Sequence, residues 1–184
     1  MDNPIKITRF KDIPRFITDG NYGVDYSLKY FVKWIKEEEE SGGLQLNPDF
    51  QRGHVWTEAQ QIAFMEFFLR GGKTGRVVYL NHPSWTRENL ESTYNDFVCV
   101  DGLQRITAIK RFIENEIKIF GNYHKEFTDN LDLTQHTIRV NINSLKTREE
   151  VLRWYIEMNT GGTPHTSKEI EKVRELLEKC SQKR

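Results

Sequence analysis

Hydrophobic positions recur along this chain in two rhythms, and the change between them is sharpest at one place. Phe97-Val98-Cys99-Val100 is an unbroken apolar run, as expected of a strand covered on both faces. The run ends at Asp101-Gly102, and apolar residues then return at helical spacing as Leu103, Ile106, Ile109 and Ile113. The pattern predicts a buried strand, a tight turn and a helix to about Glu114.

The same reasoning orders the rest of the chain. Leu28, Phe31, Val32 and Ile35 share one helix face behind Ser27, a candidate cap, and Ser41-Gly42-Gly43 stops that helix. The acidic run Glu37 to Glu40 reads as its solvated end. Leu44 to Asn47 is a short strand candidate. Thr57 with Gln60 fits a capping box, opening a helix that carries Ile62, Met65, Phe68 and Leu69 and ends at Gly71-Gly72. Arg76 to Asn81 and Ile117 to Phe120 read as strands. His136 to Asn143 alternates, with Ile138, Val140 and Ile142 on one side. Thr147 with Glu150 is a second capping box, before a helix faced by Val151, Trp154, Tyr155 and Met158. A last helix from Ser167 aligns Ile170, Val173, Leu177 and Cys180. Residues 1–24 read as irregular, and 82–95 and 121–135 as loops. The expected class is α+β: one domain over 1–184, with a small mixed sheet flanked by helices and C-terminal helices.

Charge changes this picture little. The 27 basic and 27 acidic residues cancel, which leaves no global footprint for DNA or an acidic membrane. No apolar run approaches the roughly 20 residues of a membrane span, and the first residues lack the apolar core of a signal peptide. Cys99 and Cys180 form no pattern, so the expected compartment is a reducing cytoplasm and Cys99 a small core residue.

Several familiar chemistries are excluded. Gly72-Lys73-Thr74 is no Walker loop, because Phe67 stands where the required Gly would be. No dinucleotide fingerprint occurs. The five histidines show neither H-x-x-x-H spacing nor a C-x-x-C partner, which argues against zinc. Only His54, beside a polar cluster, is kept as a candidate participant.

Three polar clusters share a grammar of permissive backbone beside hydrogen-bonding side chains: Gln51-Arg52, Asp101-Gly102-Leu103-Gln104-Arg105, and Asn159-Thr160-Gly161-Gly162-Thr163. Arg52 and Arg105 each offer a bidentate fork to phosphate. A helix opening at Leu103 directs free N–H groups and a favourable dipole to the same point. Gly161-Gly162 suits an anion nest. Asp101 has three readings: it orients a water, binds a metal ion through phosphates, or caps the helix.

The clusters also carry a resemblance. Asn47-Pro48-x-Phe50-Gln51-Arg52-x-x-Val55-Trp56, then Val100-Asp101-Gly102-x-Gln104-Arg105-x-Thr107, then Met158-Asn159-Thr160-Gly161-Gly162-Thr163-Pro164 resemble, in this order, three blocks of the DUF262 family. The resemblance covers about residues 25–175. It implies a ParB/sulfiredoxin-like fold, in which a G-x-x-R turn at a helix N-terminus, here Gly102 to Arg105, binds nucleotide phosphates. It departs at Leu103, where the family has Gln, and at His165, where it has Leu. Family members include parts of modification-dependent restriction systems, in which nucleotide hydrolysis governs a separate, often HNH-type nuclease domain. No such domain is visible in these residues, so DNA cutting by that route is not expected; the chain reads as a stand-alone DUF262-type module, with a fragment or one partner of a split system as the other readings.

The resemblance implies a nucleotide-binding domain with NTP hydrolysis, serving phage defence or DNA processing, with NTP and Mg²⁺ as cofactors. Asp101, Gln104, Arg105 and Arg52 would be catalytic. Gln51, Arg52, Gly102, Gln104, Arg105, Thr107, Asn159, Gly161, Gly162 and Thr163 would contact nucleotide, and Asp101 would meet Mg²⁺. The alternative is a non-catalytic module that binds DNA, a nuclease or a defence protein, with Lys110, Arg111, Lys118 and Lys125 as a local basic patch.

Overall fold

The computed structural model describes residues 7–13, 22–51, 53–85, 95–131, 135–160 and 167–181. In chain order these form β1 (Tyr22–Ser27), α1 (Leu28–Glu40), β2 (Leu44–Gln45), α2 (Glu58–Leu69), β3 (Val77–Asn81) and β4 (Phe97–Asp101), followed by α3 (Leu103–Ile113), β5 (Thr137–Asn143), α4 (Arg148–Thr160) and α5 (Ser167–Ser181). The fold is α+β, as expected. One five-stranded mixed sheet runs in the order β1-β5-β3-β4-β2. β5 pairs antiparallel with β1 and parallel with β3, while β4 pairs antiparallel with β3 and parallel with β2.

The unbroken apolar run has a simple cause. Successive side chains on a strand point to opposite faces, and β4 is covered on both. Phe97 and Cys99 join Phe31, Ile35, Met65, Phe68, Ile106, Ile109 and Phe112 in a core beneath α1, α2 and α3. Val98 and Val100 face the other way, into a smaller core with Phe50, Val151, Leu152, Trp154, Tyr155 and Val173 under α4 and α5. The C-terminal end of β4 therefore emerges between two helical layers.

Local signals set the helix boundaries. Thr57 and Gln60 form the full capping box at α2, with Gln60 N donating to Thr57 Oγ1 at 3.3 Å and Thr57 N to Gln60 Oε1 at 2.8 Å. At α4, Glu150 N donates to Thr147 Oγ1 at 3.2 Å and Thr147 N to Glu150 Oε2 at 3.0 Å. The stripe on α5 packs as its spacing indicates, with Ile170 and Val173 buried.

Four expectations are corrected. Tyr22–Ser27, partly read as irregular, is an edge strand paired with β5 along its whole length. Ser27 occupies the N-cap position of α1, but its side chain makes no cap bond. Ile117 to Phe120 is not a strand: Ile119 makes one isolated bridge with Asn122, and the chain reverses between them. The strand expected over Leu44 to Asn47 is only Leu44–Gln45.

Candidate functional site

The site is built from the end of β4 outward. Gly102 follows the strand with φ +126°, and a Cβ there would lie 2.6 Å from Val78 Cγ1 on the neighbouring strand. Only glycine tolerates both that backbone and that closeness. α3 begins at the next residue without a side-chain cap, so the reading of Asp101 as the cap does not describe it. Asp101 instead accepts from Arg105, with Nη2 2.5 Å from Oδ2. The Arg105 side chain is mostly covered, at 19% exposure, while that of Asp101 is 45% exposed. A cation on α3 and an anion at the end of β4 thus lie beside an uncapped helix N-terminus, where helix dipole and free N–H groups favour anions.

Leu103 turns the other way. It is 6% exposed and belongs to the core beneath α3. The departure from the family motif therefore falls on a core-facing side chain. Thr107, one turn further on, donates its hydroxyl to Leu103 O at 2.9 Å, an i to i−4 back-bond within the helix.

Two glutamines tie the first polar cluster to the second. Gln51 Nε2 donates to Cys99 O at 2.8 Å and to Val100 O at 3.1 Å. Gln104 Oε1 accepts from Val55 N and Trp56 N, both at 3.0 Å, while its Nε2 donates to Gly53 O at 2.8 Å. That amide is spent on three backbone groups 48 to 51 positions away in sequence. It bolts the loop over 53–56 to the first turn of α3. Arg52, which precedes this loop in the sequence, lies outside the described residues.

The third cluster begins on α4. Asn159 Nδ2 donates to Tyr155 O at 2.7 Å, back along its own helix. The Tyr155 ring packs edge-on against Phe50, with centroids 5.1 Å apart, and Phe50 is the neighbour of Gln51. The helix leading to the third cluster thus packs on the first, although Gly161, Gly162 and Thr163 lie outside the described residues. No contact of Asn159 with Asp101 or Arg105 is present among the described bonds.

The contacts that anchor this arrangement carry no sequence signature. Arg148 Nη2 contacts both carboxylate oxygens of Asp49 at 2.6 Å, and Lys172 Nζ donates to Asp49 O at 2.8 Å. The loop before Gln51 is thereby held by both α4 and α5. Arg111 on α3 reaches Glu58 at 2.9 Å and Gln61 at 2.8 Å on α2, as well as Glu116 at 3.1 Å. Acidic side chains and spacing gave no sequence signal for these long-range pairs.

His54 is exposed, and its Nε2 stands 3.5 Å from Gln61 Nε2, beyond an ordinary hydrogen bond. Burial, with the Asp101 charge next, pushes the Cys99 thiol up to about 12. It is therefore a neutral core group and not a nucleophile, as its place in the apolar run suggested. No group of three or more His, Cys, Asp or Glu residues able to hold a metal ion occurs among the described residues. Among those residues no helix is long and apolar enough to cross a membrane.

A mixed sheet whose interior strand β4 delivers a Gly turn and an Arg-bearing helix start defines a small α+β domain. The family model for the N-terminal domain of the GmrSD restriction endonuclease matches residues 32–137, more than half of the 184-residue chain. The chain belongs to this family of restriction-system domains. The matched span contains the first two polar clusters and ends before the third. No curated protein and no solved structure matches the chain.

Proposed function

We propose that this protein is a nucleotide-binding domain of a DNA restriction system, which holds nucleotide phosphates at the N-terminus of α3 and hydrolyses the terminal phosphoanhydride bond. The observation that carries the reading is the uncapped start of α3 with Arg105 and Asp101 paired across its first turn. The strand-Gly-helix turn also supports a ParB/sulfiredoxin-like ancestry for the fold. Service in phage defence follows from the restriction family.

In this reading Arg105 exchanges part of its bond to Asp101 for phosphate oxygens, and the N–H groups of the first helical turn add to the hold. Arg52, next in sequence to the loop that Gln104 bolts in place, would add a second guanidinium to the phosphates. Gln51 and Gln104 act by positioning, since their amides are engaged with backbone. Thr107 supports the same turn from within the helix, and Asn159, Gly161, Gly162 and Thr163 would supply further contacts to the nucleotide.

Asp101 suits Mg²⁺, which is commonly held by one or two carboxylates together with substrate phosphates. Bound there, the ion would neutralise charge on the phosphates. The protein's own part is positioning and electrostatic stabilisation of the transferred group.

The test is turnover of nucleoside triphosphates by the wild-type chain and by Arg105→Ala, with phosphate release as the readout. Loss of release in the variant, with the fold intact, supports the reading. Equal release by the two proteins removes it. A DNA-binding alternative finds less support, because Lys110 is paired with Glu39 and Arg111 with Glu58 and Glu116, which leaves the local basic patch half neutralised.

A further inference from the structure

α3 carries the phosphate turn at one end and a cavity at the other. Leu103 and Phe112 lie nine positions apart on this helix, a rise of about 14 Å. Phe112 forms one wall of a half-open pocket of about 180 Å³, lined also by Leu69, Phe120, His124 and Phe127. The Phe112 ring meets those of His124 and Phe127 edge-on, at 5.4 and 6.1 Å between centroids. Leu131 completes the apolar lining, while Asp129, Asn130 and His136 bring polar groups to it.

The backbone at Phe120 is unusual. Ile119 and Asn122 exchange both of their backbone hydrogen bonds, at 2.9 and 3.1 Å, so Phe120 and Gly121 are the two residues of a tight reversal. Both are left-handed, with φ +52° and +81°. Such a reversal favours Asn-Gly, whereas a bulky aromatic residue there is strained. The strain does not serve burial, because Phe120 is 41% exposed. Its ring stands at the cavity, and the Arg70 guanidinium lies 5.2 Å from the ring centroid. Backbone strain that packing does not require is a feature of binding sites.

We propose that this cavity is a binding site for a neutral, single-ring aromatic molecule, and that Phe120 is kept in its strained turn because its ring forms the mouth of the site. The volume fits: an apolar cavity of about 150 Å³ accepts benzene. The ring faces and edges of three Phe residues suit an aromatic guest. Burial, with the Lys29 charge next, lowers His124, so its imidazole is an uncharged wall near neutral pH. Asp129 and Asn130 offer partners for one hydroxyl or N–H substituent. The site is distinct from the phosphate turn and does not depend on it.

Phenol is a suitable probe, titrated into the full chain with ligand-observed and protein-observed NMR. Saturable binding that shifts the Phe112 and His124 resonances is expected. Leu131→Trp fills the cavity and is expected to abolish it. Phe120→Asn relaxes the turn, so its melting temperature is expected to hold or rise, while phenol affinity falls roughly fivefold, the worth of one aromatic contact. Circular dichroism reports whether each variant folds, and Phe120→Asn decides the matter if Leu131→Trp does not. Absence of saturable phenol binding in the wild type, or unchanged affinity in folded Phe120→Asn, overturns the proposal.

Discussion

Arg105 and Asp101 are bonded to each other across the first turn of α3, at 2.5 Å, with the carboxylate the more exposed partner. An anion that binds the helix start must share Arg105 with this carboxylate and tolerate its negative charge. Replacing Asp101 by Asn keeps the shape and removes the charge. Without Mg²⁺, Asp101→Asn is expected to bind nucleotide roughly tenfold more tightly, the effect of removing one nearby like charge from a partly exposed site. With Mg²⁺ the gain should disappear, because the carboxylate then serves the cation. Calorimetric titration with and without Mg²⁺ measures both; weaker binding of the variant under both conditions contradicts the assignment.

Gln104 is the mechanical link between α3 and the loop over 53–56. Gln104→Leu leaves two backbone N–H groups and one carbonyl without this partner. The loss of stability should be about 1–3 kcal/mol, read from urea unfolding. Amide exchange at Val55 and Trp56 should quicken beyond the global change, since those N–H groups lose their acceptor. Unchanged exchange at both would show that the loop is held by other contacts.

Gly102→Ala combines two penalties. Its φ of +126° disfavours any side chain, and the new methyl would meet Val78 Cγ1 at 2.6 Å and Cβ at 2.8 Å. Together these should cost about 2–4 kcal/mol. A thermal melt within a degree or two of the wild type would mean that the turn can open without cost.

Two histidines contribute to the pH dependence of stability on the acid side. Burial lowers His82, whose ring lies 4.6 Å from that of Phe97, and burial with Lys29 lowers His124. A histidine with a depressed folded pKa binds its proton more tightly in the unfolded chain, so protonation favours unfolding. Their contribution is intact above the ordinary histidine value of 6.5 and is lost as pH falls from there through the folded values. Urea unfolding between pH 7.5 and 5 should show stability declining below 6.5, with a shallower decline in His82→Phe. A flat wild-type profile over that range contradicts the sign of these shifts.

Much of this frame is written locally. The capping boxes at Thr57 and Thr147 each need only four consecutive residues, and both form as their spacing indicates. β4 was legible because burial on two faces leaves an apolar run. β1 was not, because an edge strand needs few apolar residues and Asp25 finds its partner, Arg139, more than a hundred positions away. Ile117 to Phe120 shows the opposite failure: Ile117 and Ile119 are buried, which mimics a strand, yet the chain reverses at Phe120-Gly121.

The candidate site divides in the same way. The strand, the glycine and the start of α3 could be read from one stretch of sequence. What could not be read was how each side chain is used. Gln104 looks like a ligand for substrate, but its partners are backbone groups brought in by the fold. Asp49, Arg148 and Lys172 lack any local motif, yet they fix the loop that precedes Gln51.

The central claim is that α3 begins with a nucleotide phosphate site, and a crystal of the chain soaked with a non-hydrolysable nucleoside triphosphate analogue and Mg²⁺ tests it most directly. The account predicts phosphate density within hydrogen-bonding distance of the Arg105 guanidinium and the first backbone N–H groups of α3, with the metal beside Asp101. Phosphates bound elsewhere, with the Arg105–Asp101 pair undisturbed, would contradict it.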